Sequence, residues 1–168
     1  MNKKITLIAS VIGGILLINL LRKKSMSFKK KLIELANKEW AKWNLPNKVK
    51  EGNTRTLQDL RNYYTQGPLI KNLSDKKMIA TAWSASFISY LMRQAGAGNN
   101  FKYSPLHSEY INEAKKNRTN NKKTFVAYKP NEVAVSEGDL ICYSRQEGVT
   151  YDTNGNYPSH CDLVTEIK

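Results

Sequence analysis

Apolar residues recur at helical spacing through residues 81–93, and the rest of the chain is arranged around this stretch. The apolar positions lie three and four residues apart, as on one buried face of a helix: Trp83, Phe87, Ile88, Leu91 and Ala95. Ser84 lies one residue outside this stripe, near the predicted helix start. Backbone N–H groups and the positive end of the helix dipole meet at such a position and stabilise a developing anion. Ser84 is therefore a candidate nucleophile, and a serine that only starts or packs the helix is the alternative.

An amphipathic helix is predicted over residues 28–43. Its apolar positions are Phe28, Leu32, Ala36, Trp40 and Trp43, while lysines and glutamates fill the other faces. The segment Asn44-Leu45-Pro46-Asn47 ends the helix. We expect the apolar face, with its two tryptophans, to dock on the domain core rather than to lie on a bilayer.

Two further helices are predicted between these segments and the C-terminal part of the chain. A short one covers Leu57–Tyr64. Another starts at Ser104-Pro105, with Ser104 as N-cap and Pro105 as the first helical residue. Within it, His107 and Tyr110 share a face, so His107 is expected to point inward. The lysine-rich residues 115–123 are predicted to form an exposed loop.

The last third of the chain has the alternation of an antiparallel sheet. Strands are predicted at residues 124–129, 140–143 and 160–167, the last of them after a loop rich in Gly, Asn and Pro. The period of two places His160 and Asp162 on one face of the return strand and Cys161 on the other. Helices first and an antiparallel sheet last predict an α+β domain.

The N-terminus has the pattern of a membrane segment. Residues 5–21 are uncharged and nearly all apolar, with basic residues on both sides. We therefore expect a membrane anchor with basic flanks over residues 1–24 and a single domain over 25–168. A signal peptide cleaved near Ser25-Met26-Ser27 is the rival interpretation, but the basic residues before that position fit a stop-transfer flank better. By the positive-inside rule, the larger number of basic residues after the segment would keep the domain in the cytoplasm.

The net charge of +13 is unevenly distributed. Residues 1–31 contain eight Lys or Arg and no acid, whereas residues 32–168 contain 19 basic and 14 acidic residues, a net +5. This distribution favours a membrane surface over nucleic acid, because the chain has neither zinc-finger spacing nor a basic stripe interleaved with aromatics. We expect no nucleic-acid partner and no cofactor, and the oligomeric state is not indicated.

The two cysteines, Cys142 and Cys161, are predicted on neighbouring antiparallel strands. If they lie directly opposite each other they can form a disulfide, and otherwise both are buried thiols. One of them acting as a nucleophile beside His107 or His160 is a third interpretation. A metal site built from these four residues lacks any local ligand-pair spacing, so no metal is expected.

Four motifs occur along the chain in a characteristic order. They are Trp83-Ser84-Ala85-x-Phe87-Ile88-Ser89, His107-x-x-Tyr110, Gly138-Asp139-Leu140-Ile141-Cys142-x-x-Arg145 and Ser159-His160-Cys161-Asp162-Leu163-Val164. Together with Glu39-Trp40 they closely resemble the bacterial and phage family called domain of unknown function 2272, over about residues 28–168. That family is similar to the CHAP and NlpC-type papain-like amidases and endopeptidases of the cell wall. In those enzymes a histidine on a strand faces a cysteine at a helix start, and the position that matches the cysteine is Ser84.

The resemblance implies a papain-like domain that hydrolyses peptide or amide bonds in peptidoglycan. Ser84 would be the nucleophile and His160 its base, with Asp162 on the same strand face and His107 as a second candidate catalytic residue. For the single-pass membrane protein that the N-terminal segment predicts, the resemblance favours a domain on the envelope side, which conflicts with the charge rule above. CHAP-like domains usually continue into further strands, so a C-terminally truncated domain is also compatible. The alternative function is a catalytically inactive module that binds the cell wall or a partner, and a phage virion or lysis component fits either chemistry.

Overall fold

A computed structural model describes residues 26–44 and 52–168. Within these ranges the chain forms five α-helices followed by a two-stranded antiparallel sheet. The elements are α1 (Phe28–Asn44), α2 (Thr54–Gln66), α3 (Asp75–Ala80), α4 (Ser84–Ala95), α5 (His107–Thr119), β1 (Leu140–Ser144) and β2 (Ser159–Leu163). The predicted α+β class is confirmed.

The predicted membrane anchor at residues 1–24, with its apolar segment 5–21, lies outside the described residues. In the part of the chain that the structure describes, no helix is both long and apolar enough to cross a bilayer. The anchor therefore stays a prediction.

Helix α4 is the centre of the domain, as its periodicity predicts. Ile88, Leu91 and Ala95 are buried along one face. The helix ends at Gly96, whose φ of 95° is a left-handed conformation that glycine adopts without steric cost. Helix α1 and strand β2 pack against one side of α4, and helix α2 packs against the other. Helix α4 therefore contributes residues to both apolar clusters of the domain.

Helix α1 docks its apolar face on the core, as predicted, except at Trp40. Leu32 and Ala36 are buried, as expected, but Trp40 is 66% exposed and Glu39 only 3%. A helix has 3.6 residues per turn, so steps of four drift by about 40° each and place Trp40 about 120° away from Phe28. The buried Glu39 carboxylate accepts hydrogen bonds from the Tyr63 hydroxyl at 2.7 Å and from Lys42 Nζ at 2.8 Å. These two partners compensate for its loss of water.

Two predictions about α5 and its surroundings are wrong. The helix begins at His107, because the Ser104 side chain instead accepts a hydrogen bond from the Leu106 N–H and closes a turn before it. The helix then continues to Thr119, through part of the predicted loop. Lys115 is buried within it and donates from Nζ to the Tyr151 carbonyl at 3.1 Å.

Residues 124–129 form no strand, although their composition predicts one. The segment runs along α5, where the Ala127 N–H donates to the Ala114 carbonyl at 3.2 Å. The Phe125 carbonyl accepts from the Asn117 side chain, and the Ala127 carbonyl accepts from the Tyr151 hydroxyl. Helix and side-chain partners thus satisfy the backbone groups that a neighbouring strand would otherwise bond.

Strands β1 and β2 pair with Cys142 directly opposite Cys161, and the two form a disulfide. The interpretations as free thiols, or as a cysteine nucleophile, are therefore wrong. Cys161 is buried in the core beside α4, whereas Cys142 is exposed at the surface of the sheet. The return strand ends at Leu163, four residues earlier than predicted.

The Gly138-Asp139 turn joins this sheet to α1. Gly138 has a φ of 84°, and its N–H donates to the Val164 carbonyl at 2.8 Å. The Asp139 carboxylate accepts from the Ser136 N–H and from Lys29 Nζ, each at 2.8 Å. This part of the motif therefore has a structural role, because it fixes where β1 begins relative to the first helix.

Candidate active site

Ser84 is the first residue of α4, at the position that the sequence predicts. It follows the N-cap residue Trp83, whose carbonyl accepts the first backbone hydrogen bond of the helix from Phe87 at 2.9 Å. The N–H groups of the first helical turn have no carbonyl one turn earlier to bond, and they carry the positive end of the helix dipole. The half-buried Ser84 hydroxyl therefore lies in a locally positive field.

Two histidines, from separate elements, contact the Ser84 hydroxyl. Its Oγ lies 2.8 Å from Nε2 of His107 on α5 and 3.4 Å from Nδ1 of His160 on β2. The two imidazole rings meet edge to face, with 5.0 Å between their centroids. The structure thus brings Ser84, His107 and His160 together, and His107, the second candidate, is the nearer histidine.

His107 is a buried, neutral imidazole. Burial lowers its pKa to about 4, and electrostatic interactions with His160 and Arg145 act in the same direction. Its Nδ1 forms a hydrogen bond with the Tyr110 hydroxyl, one turn along the same helix. The ring is therefore held at both nitrogens, by Tyr110 on one side and Ser84 on the other.

His160 lies closer to solvent, with 18% of its side chain exposed. Its Nδ1 faces Ser84, and its Nε2 lies 3.2 Å from Oδ1 of Asp162, two residues further along the same strand. The Tyr143 ring, directly across the sheet, lies 5.7 Å from the imidazole, centroid to centroid. Asp162 does reach the histidine that shares its strand face, although its own side chain is 62% exposed.

Five side chains form a continuous line of hydrogen bonds: Tyr110, His107, Ser84, His160 and Asp162. A hydroxyl beside an imidazole that is itself oriented by a carboxylate is the arrangement used for nucleophilic catalysis. Tyr110 was not predicted as a site residue. The sequence did place Tyr110 on the same helix face as His107, and this spacing could have indicated a contact between them. The hydrogen bond itself depends on both residues being buried together.

No group of three or more His, Cys, Asp or Glu side chains within residues 26–44 and 52–168 is arranged to hold a metal ion. Cys142 and Cys161 are joined to each other, which removes both thiolates as ligands.

The fold and the site define an α+β domain with a serine at a helix start flanked by two histidines. Residues 56–168 match the model of the family described as an uncharacterized protein conserved in bacteria, DUF2272, and the chain belongs to this family. No curated protein and no solved structure matches the chain significantly. The resemblance noted in the sequence is thus confirmed at the level of the family.

Proposed function

We propose that this protein is a papain-like hydrolase that cleaves peptide or amide bonds of peptidoglycan, with Ser84 as nucleophile and His160 as general base. The observation that carries the proposal is the contact at the start of α4. There, Ser84 Oγ lies 3.4 Å from Nδ1 of His160, and Asp162 lies 3.2 Å behind the other ring nitrogen. A general base must lie within hydrogen-bond reach of the proton that it removes, and free enzymes often show the longer end of that range.

The reaction proceeds in two halves. Ser84 Oγ attacks the carbonyl carbon while its proton passes to His160, and a tetrahedral intermediate forms. The C–N bond then breaks, the leaving amine takes the proton from His160, and an acyl-serine ester remains. Water attacks this ester with His160 again as base, which releases the carboxylic acid and restores the Ser84 hydroxyl.

The start of α4 offers stabilisation for the oxyanion of the intermediate. The Ser84 N–H and its neighbours in the first turn carry partial positive charge close to the attacking Oγ. A serine hydroxyl is far less acidic than a thiol, so the helix dipole alone does not ionise it. The imidazole of His160 is therefore required for the attack.

The order of the motifs and the shape of the site support the papain-like assignment. The nucleophile starts the central helix, and the histidine follows on a strand that packs against that helix. The Cys142–Cys161 disulfide supports a location on the envelope side, because disulfides persist in oxidising compartments. Residues 5–21 would anchor the protein in the membrane beside its peptidoglycan substrate.

The test is incubation of the full chain, purified in detergent, with isolated cell-wall sacculi, followed by chromatography of the released muropeptides. We expect release by the wild type, and its loss, by roughly 10³-fold or more, in Ser84→Ala and His160→Ala. Ser74→Ala is the control, because Ser74 is also a serine at a helix start, as the N-cap of α3, but is not part of the candidate site.

Three results would contradict the proposal: no release by the wild type, equal release by the Ser84→Ala variant, or equal release by His160→Ala. Binding of the wild type to sacculi without any release would instead favour the alternative of an inactive wall-binding module. The same sacculi, sedimented after incubation, measure that binding directly.

A further inference from the structure

The buried Tyr110 hydroxyl has one hydrogen-bond partner among the described residues, Nδ1 of His107. From this contact we propose that Tyr110 is a positioning residue that keeps the His107 proton on Nε2, so that His107 donates a hydrogen bond to Ser84 Oγ instead of accepting one. The two histidines of the site would then have opposite roles.

The first argument is the count of donors and acceptors at Tyr110. A tyrosine hydroxyl has one proton to donate, and here the His107 Nδ1 is the acceptor within reach. If Nδ1 carried the proton, it would donate to Tyr110 and leave the buried Tyr110 proton unpaired. An unpaired buried donor disfavours that tautomer by roughly tenfold to a hundredfold.

The second argument starts at the other end of the line. An ionised Asp162 carboxylate only accepts, so the facing Nε2 of His160 carries a proton. In the neutral ring Nδ1 is then bare and accepts the Ser84 Oγ proton. The hydroxyl has no second proton for His107, so the close 2.8 Å contact at Oγ requires a donor from His107 Nε2.

Both ends of the line therefore require the same direction of donation. Tyr110 donates to His107, His107 donates to Ser84, Ser84 donates to His160, and His160 donates to Asp162. Every proton in this sequence has an acceptor. The reverse direction would require the Asp162 carboxylate to donate a hydrogen bond to His160, and an ionised carboxylate has no proton to donate.

The consequence for catalysis rests on the proposed function. As the Ser84 proton moves to His160, negative charge develops on Oγ, and the His107 N–H lies 2.8 Å away to stabilise it. His107 is then a catalytic hydrogen-bond donor and His160 the base. Tyr110 acts only through His107.

The tautomer can be measured without any enzymatic activity. The chain contains two histidines, so ¹⁵N-histidine labelling of the full chain in detergent and long-range ¹H–¹⁵N correlation give four ring-nitrogen signals. The His107→Gln variant assigns them. At pH 7 we expect His107 Nδ1 to have the shift of an unprotonated nitrogen and Nε2 that of a protonated one. In Tyr110→Phe we expect this pattern to give way to a mixture of tautomers or to Nδ1–H.

Tyr103→Phe is the matched control, because the Tyr103 ring packs on the same Phe101 as Tyr110, while its hydroxyl donates to the Gly98 carbonyl. This variant should leave the His107 signals unchanged. The proposal is wrong if wild-type His107 carries its proton on Nδ1, a result that does not depend on whether Tyr110→Phe folds. It is also wrong if Tyr110→Phe keeps the wild-type tautomer.

Measuring turnover distinguishes a failure of this inference from a failure of the proposed function. If sacculi are cleaved, Tyr110→Phe should lower kcat roughly tenfold or more with KM unchanged, since substrate binding is not altered. Wild-type kcat in a folded Tyr110→Phe would overturn the catalytic role of the donor. If the wild type shows the expected tautomer but no turnover, the proposed hydrolase function fails while the assignment of the His107 proton stands.

Discussion

Reduction of the Cys142–Cys161 disulfide should lower the free energy of unfolding by about 3 kcal/mol. The bond closes a loop between residues that are 19 positions apart. The chain-entropy relation for a loop of this length corresponds to about 3 kcal/mol at 25 °C. The sheet has two strands within the described residues, and a two-stranded ribbon is marginal without further support. The covalent link therefore contributes much of what holds β1 against β2.

Urea denaturation followed by tryptophan fluorescence measures this difference, with and without dithiothreitol. The exposed position of Cys142 gives the reductant access to the bond. For a chain of this size, about 3 kcal/mol corresponds to a decrease in Tm of roughly 6–12 °C. Titration of free thiols in the same samples reports whether the bond is open.

The double variant Cys142→Ala/Cys161→Ala is the control, because its stability should be low and should not respond to reductant. Equal urea midpoints for oxidised and reduced wild type, with two free thiols present after reduction, would refute the loop-entropy argument. Two free thiols before any reductant is added, in protein purified without it, would refute the pairing itself.

Two further predictions concern the site and the packing around α4. The pKa of His107 falls from 6.5 to about 4 on folding, so as the pH is lowered the unfolded state binds the proton before the folded state does. The contribution of His107 to the free energy of unfolding is therefore fully present above pH 6.5 and is lost as the pH falls toward 4. The loss of stability between pH 7 and pH 4.5 in urea titrations should be smaller in His107→Gln, and an equal loss would contradict the neutral buried ring. Gly67→Ala should destabilise the domain by roughly 1–3 kcal/mol, because its Cβ would lie 2.5 Å from the Ser86 carbonyl oxygen, while Gly52→Ala, with open space around it, should not. Equal urea midpoints for these two glycine variants would contradict this prediction, because they would show that the backbone around Gly67 moves to make room for a Cβ.

Local pattern was sufficient for two of the elements that carry the site, α4 and the strand β2. The three- and four-residue spacing of apolar residues predicted α4 and placed Ser84 near its start. Alternation predicted the paired strands, and it placed His160 and Asp162 on one face, where they form a hydrogen bond. These features depend on geometry within one element or between adjacent strands, which the order of residues determines directly.

Pattern was misleading where neighbouring elements compete for a segment. Residues 124–129 have the composition of a strand, but their backbone groups bond to α5 and to side chains, so no strand forms. Trp40 continues the four-residue spacing of α1, yet the helix has rotated away from the core by that position and the buried residue is Glu39. The absence of a strand at residues 124–129 depends on neighbours in space, which composition does not describe. The exposure of Trp40 follows instead from the drift of a four-residue spacing around a helix of 3.6 residues per turn.

The candidate site likewise combines features that the sequence predicted with features that only the tertiary structure decides. From the sequence, Ser84 was a candidate beside His160, and His107 was a second choice with no defined role. The tertiary structure brings α4, α5 and β2 together so that both imidazoles reach one hydroxyl, and it buries the tyrosine that contacts His107. Residue order determines which way each side chain points from its own element. Packing of the elements alone decides which side chains come within hydrogen-bond distance and which of them lose water.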